Sequence, residues 1–309
     1  MYIKEGNTMK LKLAGHETFY PREHWLYKGL NEKDAKIASL KAKQVSGFFK
    51  EQEESNEDYP TDYMGVGANM VKSIRHWVNV FGLLDKDDKS DFIKPILNYD
   101  PFLDKTATSW ILHYNLITSE TAPTTWYWFF TQSELVSFDK ESFLRSYKDW
   151  LSTLDLKQTY SEKSLENDYQ VLTAMYSRDD RDLFYPSQFA SLGVLSFNPH
   201  YRRYSRNVNP DLDISILLYL FLLFRDRFFR GAETLDLENI RNIAESPLRA
   251  LKIDIDHFFE LSMKLPSKIS KKVKLSRTAG IKTIQFFGLT KNDLLSEIYS
   301  SEKIENYLD

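Results

Sequence analysis

The densest set of chemically capable side chains lies between Gly15 and Gly29, GHETFYPREHWLYKG, which holds His16, Glu17, Tyr20, Arg22, Glu23, His24 and Lys28. Histidine and glutamate serve general acid–base catalysis near neutral pH, and arginine suits a phosphate oxygen. Glu17 and His16 are therefore the candidate catalytic pair, with Arg22 a candidate phosphate contact. The zincin pattern, two histidines four apart with a glutamate after the first, fails because Thr18, Phe19 and Tyr20 follow His16-Glu17.

A second set follows Gly65-Val66-Gly67. Lys72, Arg75, His76 and Asn79 fall at i, i+3, i+4 and i+7, so they share one helix face suited to phosphate contacts and base-edge hydrogen bonds. The glycines let main-chain N–H groups approach an anion, but the lysine and hydroxyl pair of a Walker loop is missing, which argues against nucleotide hydrolysis. A third set is Asp100 and Asp104, about one turn apart. Two carboxylates there are candidate ligands for magnesium, which takes oxygen ligands and keeps several waters. Turn and helix-capping chemistry explains the same pair, with Asp100 before proline and Asp104 near a helix start.

The elements that must position these groups are mostly helices. From Ala68 to Leu84, apolar residues recur at Met70, Val71, Ile74, Trp77, Val78, Phe81 and Leu84, a 3.6-residue stripe. Thr106 opens a helix through Ile117, and Asp139 caps another, with Phe138 and Phe143 placed as a hydrophobic staple. Ser161 opens a helix carrying Leu165, Tyr169 and Leu172. Asn209-Pro210 and Ser246-Pro247 read as helix starts. The five aromatics Trp126 to Phe130 point all round a helix and belong to a core. Strands are few: Lys271–Leu275 and Ile281–Phe287 form a hairpin, and with helix Ile255–Leu265 they resemble the helix-and-wing half of a winged helix.

Glycine and proline number only 11 and 10 in 309 residues, which favours helix. The formal charge is −3, yet the bases are gathered rather than spread. Six acids and no base lie between Glu51 and Asp62, while five bases and no acid lie between Lys268 and Arg277. Lys271 and Lys272 in that run, and Arg202, Arg203 and Arg206 beside Tyr201–Tyr204, are candidate DNA contacts. There is no cysteine, which excludes disulfides, thiolate zinc, iron–sulfur clusters and a cysteine nucleophile. The run Ile214–Phe224 is too short to span a bilayer, and the expectation is a cytoplasmic protein without a membrane partner. The predicted organisation is a disordered extension at 1–9, a winged-helix-like DNA-binding region at 10–98 and a helical region with a late β-hairpin at 99–309. A further boundary is placed in the loop Arg178–Tyr185. The fold class is mainly α with small β elements.

Four segments occur in order: GHETFYPREHWLYKG, GVGANMVKSIRHWVNVFGLL, DPFLDKTATSWILHYNLI and APTTWYWFF, with TAGIKTIQFFG near the end. From about Lys10 to about Tyr299 the chain resembles the bacterial domain-of-unknown-function family that includes the SspB-type DNA nickases of DNA phosphorothioation systems. Ala68 departs from the lysine expected there, leaving Lys72 and Arg75 as the bases of that helix. The resemblance implies a DNA-handling role in a pathway where sulfur replaces a non-bridging backbone oxygen. Implied partners are DNA, a cysteine desulfurase, an ATPase and a phosphoadenosine-phosphosulfate-reductase-like protein. Nicking by phosphodiester hydrolysis would use Lys72, Arg75 and His76 on the backbone, Glu17 or His16 on the attacking water, and Asp100 and Asp104 on a divalent metal. The alternatives are a non-enzymatic DNA-binding adaptor for the sulfur-transfer complex and a winged-helix transcriptional regulator.

Overall fold

The computed structural model describes residues 10–30, 64–85, 88–156, 158–177, 187–278 and 280–305. The acidic run Glu51–Asp62, the extension 1–9 and the boundary placed at Arg178–Tyr185 lie outside the described residues. The chain is mainly α with small antiparallel sheets.

At the N-terminal end, α1 (Trp25–Leu30) crosses α2 (Ala68–Val80). The crossing is close because Gly29 has no side chain; a Cβ there would strike Val78. The expected stripe is the buried one: Val71, Ile74, Trp77 and Val78 all face inward. Two short antiparallel strands, β1 (Leu84–Asp85) and β2 (Asp88–Lys89), follow, then α3 (Lys94–Leu97).

The centre of the molecule is α4 (Thr106–Thr118), buried at every residue from Ala107 to Thr118. Helix α5 (Thr124–Tyr127) runs into a π-helical turn, Trp128–Gln132, and Trp126 to Phe130 are all buried, as five aromatics in a row require. A single hydrophobic cluster among the described residues joins these helices to everything that follows.

Two units of the same connectivity come next. In unit one, α5 leads to β3 (Ser137–Phe138), α6 (Lys140–Ser152), α7 (Glu162–Tyr176), β4 (Leu195–Asn198) and β5 (Arg203–Arg206), with strand order β3-β5-β4. In unit two, α8 (Ile214–Phe228) leads to β6 (Thr234–Asp236), α9 (Leu237–Ile240), α10 (Pro247–Ala250) and α11 (Ile255–Ser262). It then passes through α12 (Ser267–Ser270) to β7 (Val273–Thr278) and β8 (Ile281–Phe286), with order β6-β8-β7. Each unit is thus a helix, a strand, further helices and a hairpin whose second strand pairs with the first strand of the unit. Helix α13 (Lys291–Glu305) packs on α8.

Asp139 caps α6 as expected: its carboxylate accepts from Ser142 N, and the Phe138 and Phe143 rings lie 5.6 Å apart as the staple. Ser161 caps α7 through Ser164 N. The start expected at Asn209-Pro210 is displaced. Asp213 caps α8, while Asn209 exchanges two hydrogen bonds with Asp254 at the head of α11. The sheet of unit one adds strands to a region expected to hold only the late hairpin. No helix among the described residues is long and apolar enough to cross a membrane.

Candidate functional site

The segment carrying His16 and Glu17 is stitched to unit one. Thr124 N donates to Lys12 O at 3.1 Å, and Lys12 N donates back to Thr124 Oγ1 at 2.9 Å. Two residues on, Ala14 N donates to Asp168 Oδ1 at 2.8 Å, and His16 Nε2 lies 2.9 Å from that same oxygen. Thr18 N donates to His16 Nδ1 at 3.2 Å, so the ring proton sits on Nε2 and is donated to Asp168. The Thr125 hydroxyl donates to the other carboxylate oxygen, with the Tyr147 hydroxyl 3.1 Å from Thr125 Oγ1. Asp168 is fully buried, and these donors supply the partners a buried carboxylate needs.

His16 is itself only 1% exposed. Its ring stacks on Trp77 at 6.1 Å and meets Trp126 and His76 edge-on. Direct contact between His16 and an attacking water is ruled out by that burial, which corrects its catalytic assignment: it is a tie between the first loop and α7. Phe19 O, at the end of the same loop, accepts from Trp77 Nε1 at 2.9 Å and from the Ser73 hydroxyl at 3.3 Å, fastening the loop to α2 as well.

Glu17 stands out from this anchorage exposed. Its backbone is left-handed, with φ 49°, and that of Thr18 has φ 67°. Ala14 (φ 55°), His24 (φ 63°) and Leu103 (φ 57°) are left-handed too. Five of the eight non-glycine residues in this conformation among the described ones therefore belong to two short stretches. For a β-branched threonine the conformation is a genuine outlier, and each such residue costs of order 1 kcal/mol or more unless its surroundings hold it there. The two stretches are neighbours: the Tyr27 and Phe102 rings lie 5.1 Å apart, and His24 acts electrostatically on Asp104.

In the second stretch the two aspartates do different work. Asp100, 1% exposed, accepts from Lys105 N at 3.0 Å, from Asp104 N at 3.4 Å and from the Thr108 hydroxyl, which Tyr299 OH approaches at 2.6 Å. It holds the turn ahead of α4, and both its oxygens are committed. Asp104 is exposed, and partial desolvation, followed by the charge and hydrogen bond of Asp100, raises its pKa. The two carboxylates are neighbours, since the charge and hydrogen bond of Asp100 act on Asp104; Asp100 is spent on the turn and Asp104 offers the exposed group. No three His, Asp or Glu side chains among the described residues are placed to hold a metal.

On α2, Lys72 and Asn79 are exposed while Arg75 and His76 are partly buried. His76 packs over Gly15, where a Cβ would sit 2.6 Å from the ring. Burial, and then the neighbouring His16, pushes its pKa down to about 3. A neutral imidazole at pH 7 can offer phosphate a hydrogen bond but no ionic contact. Arg22 leans over the Trp25 ring at 5.4 Å.

The later arginines part company. Arg202 is exposed at the tip of the β4–β5 hairpin. Arg203 pairs with Asp139 at 2.7 Å and donates to Ser137 O at 3.0 Å. Arg206, 5% exposed, donates to Phe129 O, Phe130 O and Ala250 O at 2.7, 2.8 and 3.2 Å, and burial lowers its pKa to about 9. It is a core residue and not a DNA contact. Lys272 pairs with Asp293 at 2.8 Å, whereas Lys271 is exposed. Asp168 went unnoticed in the sequence, although a carboxylate three residues from Leu165, on the stripe through Tyr169 and Leu172, was the available signal.

No curated protein matches the chain. Two solved structures share the fold: a magnesium ion-bound SspB crystal structure, with a TM-score of 0.74, and an SspB crystal structure, with a TM-score of 0.73. Each is 22% identical, with 94% of this chain and 88% of that chain covered. The profile described as Protein of unknown function (DUF4007) matches residues 13–299, and the chain belongs to that family.

Proposed function

We propose that this protein handles DNA within a bacterial phosphorothioation system and nicks one strand by phosphodiester hydrolysis. The observation that carries the reading is Glu17: an exposed carboxylate on a strained left-handed turn that the buried His16–Asp168 pair and α2 hold in place. Hydrolysis needs a base to orient water and take its proton, and cations to balance charge growing on the phosphate oxygens. Glu17 is the base, Lys72 and Arg75 of α2 hold the backbone, and His16 acts only through position. The likeness of fold to SspB, and the ordered motifs, support this assignment over other phosphate chemistries.

In this reading both three-stranded units are winged-helix-type modules, and the partners are the desulfurase, ATPase and reductase-like proteins of the system. Magnesium, bound in one of the SspB structures, is proposed as the divalent ion, and Asp104 is the carboxylate of its pair with an exposed face. Supercoiled plasmid incubated with purified protein, with and without magnesium, tests the reading. Glu17→Gln is expected to lower nicking at least 100-fold without changing the far-ultraviolet circular dichroism. Undiminished nicking by that variant would remove Glu17 from the mechanism. The competing reading, a DNA-delivering adaptor, draws on the exposed Lys268, Lys271 and Lys274, which could bind a phosphate backbone without a catalytic carboxylate. It predicts salt-sensitive DNA binding with no cleavage by any preparation.

A further inference from the structure

The hairpin of unit one turns through Pro199, His200, Tyr201 and Arg202, between β4 and β5. Its main chain is held in one shape. The side-chain oxygen of Asn198 accepts from His200 N at 3.0 Å and from Tyr201 N at 3.2 Å, closing the turn on its own backbone. Pro199 fixes a further dihedral, and Arg202 completes the reversal in the left-handed conformation, with φ 51°. The side chains on this frame are nonetheless in solvent. Tyr201 is 69% exposed, against 56% for Phe287, and its ring meets that of His200 edge-on at 4.7 Å. Arg202 is exposed and joins no ion pair among the described residues. Asp139, which touches the hairpin, is taken by Arg203 at 2.7 Å.

The ribbon beneath the tip has little left for reading DNA. Phe197 and Tyr204 face each other across the strand pair at 4.8 Å, and Tyr204 stacks on Phe138. Strand β3 pairs with β5 at Ser205 and Tyr204, so the turn stands beyond the end of the third strand. A major groove about 12 Å wide admits a whole two-stranded ribbon that reads bases along its length, whereas a minor groove about 6 Å wide admits single side chains. A guanidinium and an exposed ring on a fixed, narrow tip suit the second. Negative potential is strongest where the minor groove is narrow, as in A·T-rich tracts, and arginine is drawn into it there.

We infer that this tip enters the minor groove of duplex DNA, with the Arg202 guanidinium between the strands and the Tyr201 ring against the sugars of the groove wall. The inference rests on the DNA-handling reading above. It adds a second duplex contact, besides that of α2, which senses the minor groove and not the base edges of the major groove.

The test uses the full chain and three labelled duplexes of about 20 base pairs, with affinity read by fluorescence anisotropy at low salt without magnesium. One is rich in A·T, one is rich in G·C, and the third carries I·C in place of each G·C. Inosine lacks the 2-amino group of guanine, so an I·C pair shows the minor groove of A·T and the major groove of G·C. Wild type is expected to bind the A·T and I·C duplexes alike, about tenfold tighter than the G·C duplex. Arg202→Gly, in which glycine accepts the left-handed turn without strain, should lose about tenfold on the first two and erase the preference. Tyr201→Ala should weaken all three about threefold. Lys163→Glu, on the exposed side of α7, is the control and leaves the preference intact. Equal affinity of wild type for all three duplexes, I·C bound as weakly as G·C, or a preference that survives Arg202→Gly overturns the minor-groove contact and leaves the DNA-handling reading standing. Loss of the preference in Lys163→Glu also overturns the contact, because the effect is then one of net charge. Failure of wild type to bind any duplex overturns both.

Discussion

Units one and two share a connectivity and a strand order, yet they spend their basic residues in opposite directions. In unit one two of the three hairpin arginines, Arg203 and Arg206, are spent on partners within the protein, while Arg202 stays exposed at the tip. Arg206 fills the core and caps three carbonyls, and Arg203 locks β5 to the head of α6 through Asp139 and Ser137. In unit two the hairpin and the helices before it present Lys268, Lys271 and Lys274 to solvent without a partner carboxylate among the described residues. The sequence pattern is the same in both, a cluster of bases beside β-forming residues. What differs is what surrounds each base: Arg206 lies among the Phe129, Phe130 and Ala250 carbonyls and Arg203 meets Asp139, whereas Lys268, Lys271 and Lys274 face solvent. Basic clusters are therefore evidence for a nucleic-acid surface only after their partners have been counted.

The contrast is broken most severely at Arg206. Arg206→Met leaves three buried carbonyl oxygens without donors, at roughly 1 kcal/mol or more each. Unfolding in urea should show a loss of about 3 kcal/mol, and a loss under about 1 kcal/mol would mean the guanidinium is not a core element.

Helix α4, where it packs on Tyr176 and Phe130 of unit one, should be an acid-sensitive part of the molecule. His113, fully buried with Nδ1 2.7 Å from Tyr176 OH and its ring 4.7 Å from that of Phe130, has its pKa lowered to about 3 by burial, with Arg206 adding to the shift. Above pH 6.5 the group is neutral folded or unfolded and contributes no pH dependence. As pH falls from 6.5 toward 3, the unfolded chain takes up a proton that the folded one refuses, so stability drops by up to about 1.4 kcal/mol per unit. His76 contributes in the same direction. Urea titrations at pH 7, 6, 5 and 4 should give a shallower acid-side loss for His113→Asn than for wild type, and parallel curves would contradict this account.

A smaller effect separates the hairpins by DNA affinity. Lys268→Glu with Lys274→Glu should lower DNA affinity about tenfold at 50 mM salt and reduce the salt slope by about two. Least of all, Arg203→Ala should leave affinity unchanged and cost no more than about 1 kcal/mol, because its ion pair is half exposed. Equal losses of affinity at Arg203 and at the lysines would erase the distinction between the units.

Periodicity and capping made the helices legible. The stripe of α2, the Asp139 cap with its Phe138–Phe143 staple and the β7–β8 hairpin are all local signals, and each lies where its residues direct. The sheet of unit one was hidden because β3 has two residues and β4 and β5 four each, too short to show alternation. The site was legible by half. Its dense polar segment marks the loop, but the carboxylate that fixes His16 lies 152 residues away. Spacing likewise could not tell Asp100, which turns into the core to hold a helix, from Asp104, which stays outside.

The hydrogen bonds from Lys12, Ala14 and His16 to Thr124 and Asp168 carry a consequence for synthesis. The loop bearing Glu17 is synthesised about 150 residues ahead of α7, yet the contacts that hold it need α7 to have emerged and folded. Contacts of such long sequence separation form late. A nascent chain that ends before Asp168 thus holds every residue of the loop without the carboxylate that fixes His16, so the Glu17 turn lacks that anchor until α7 has been translated.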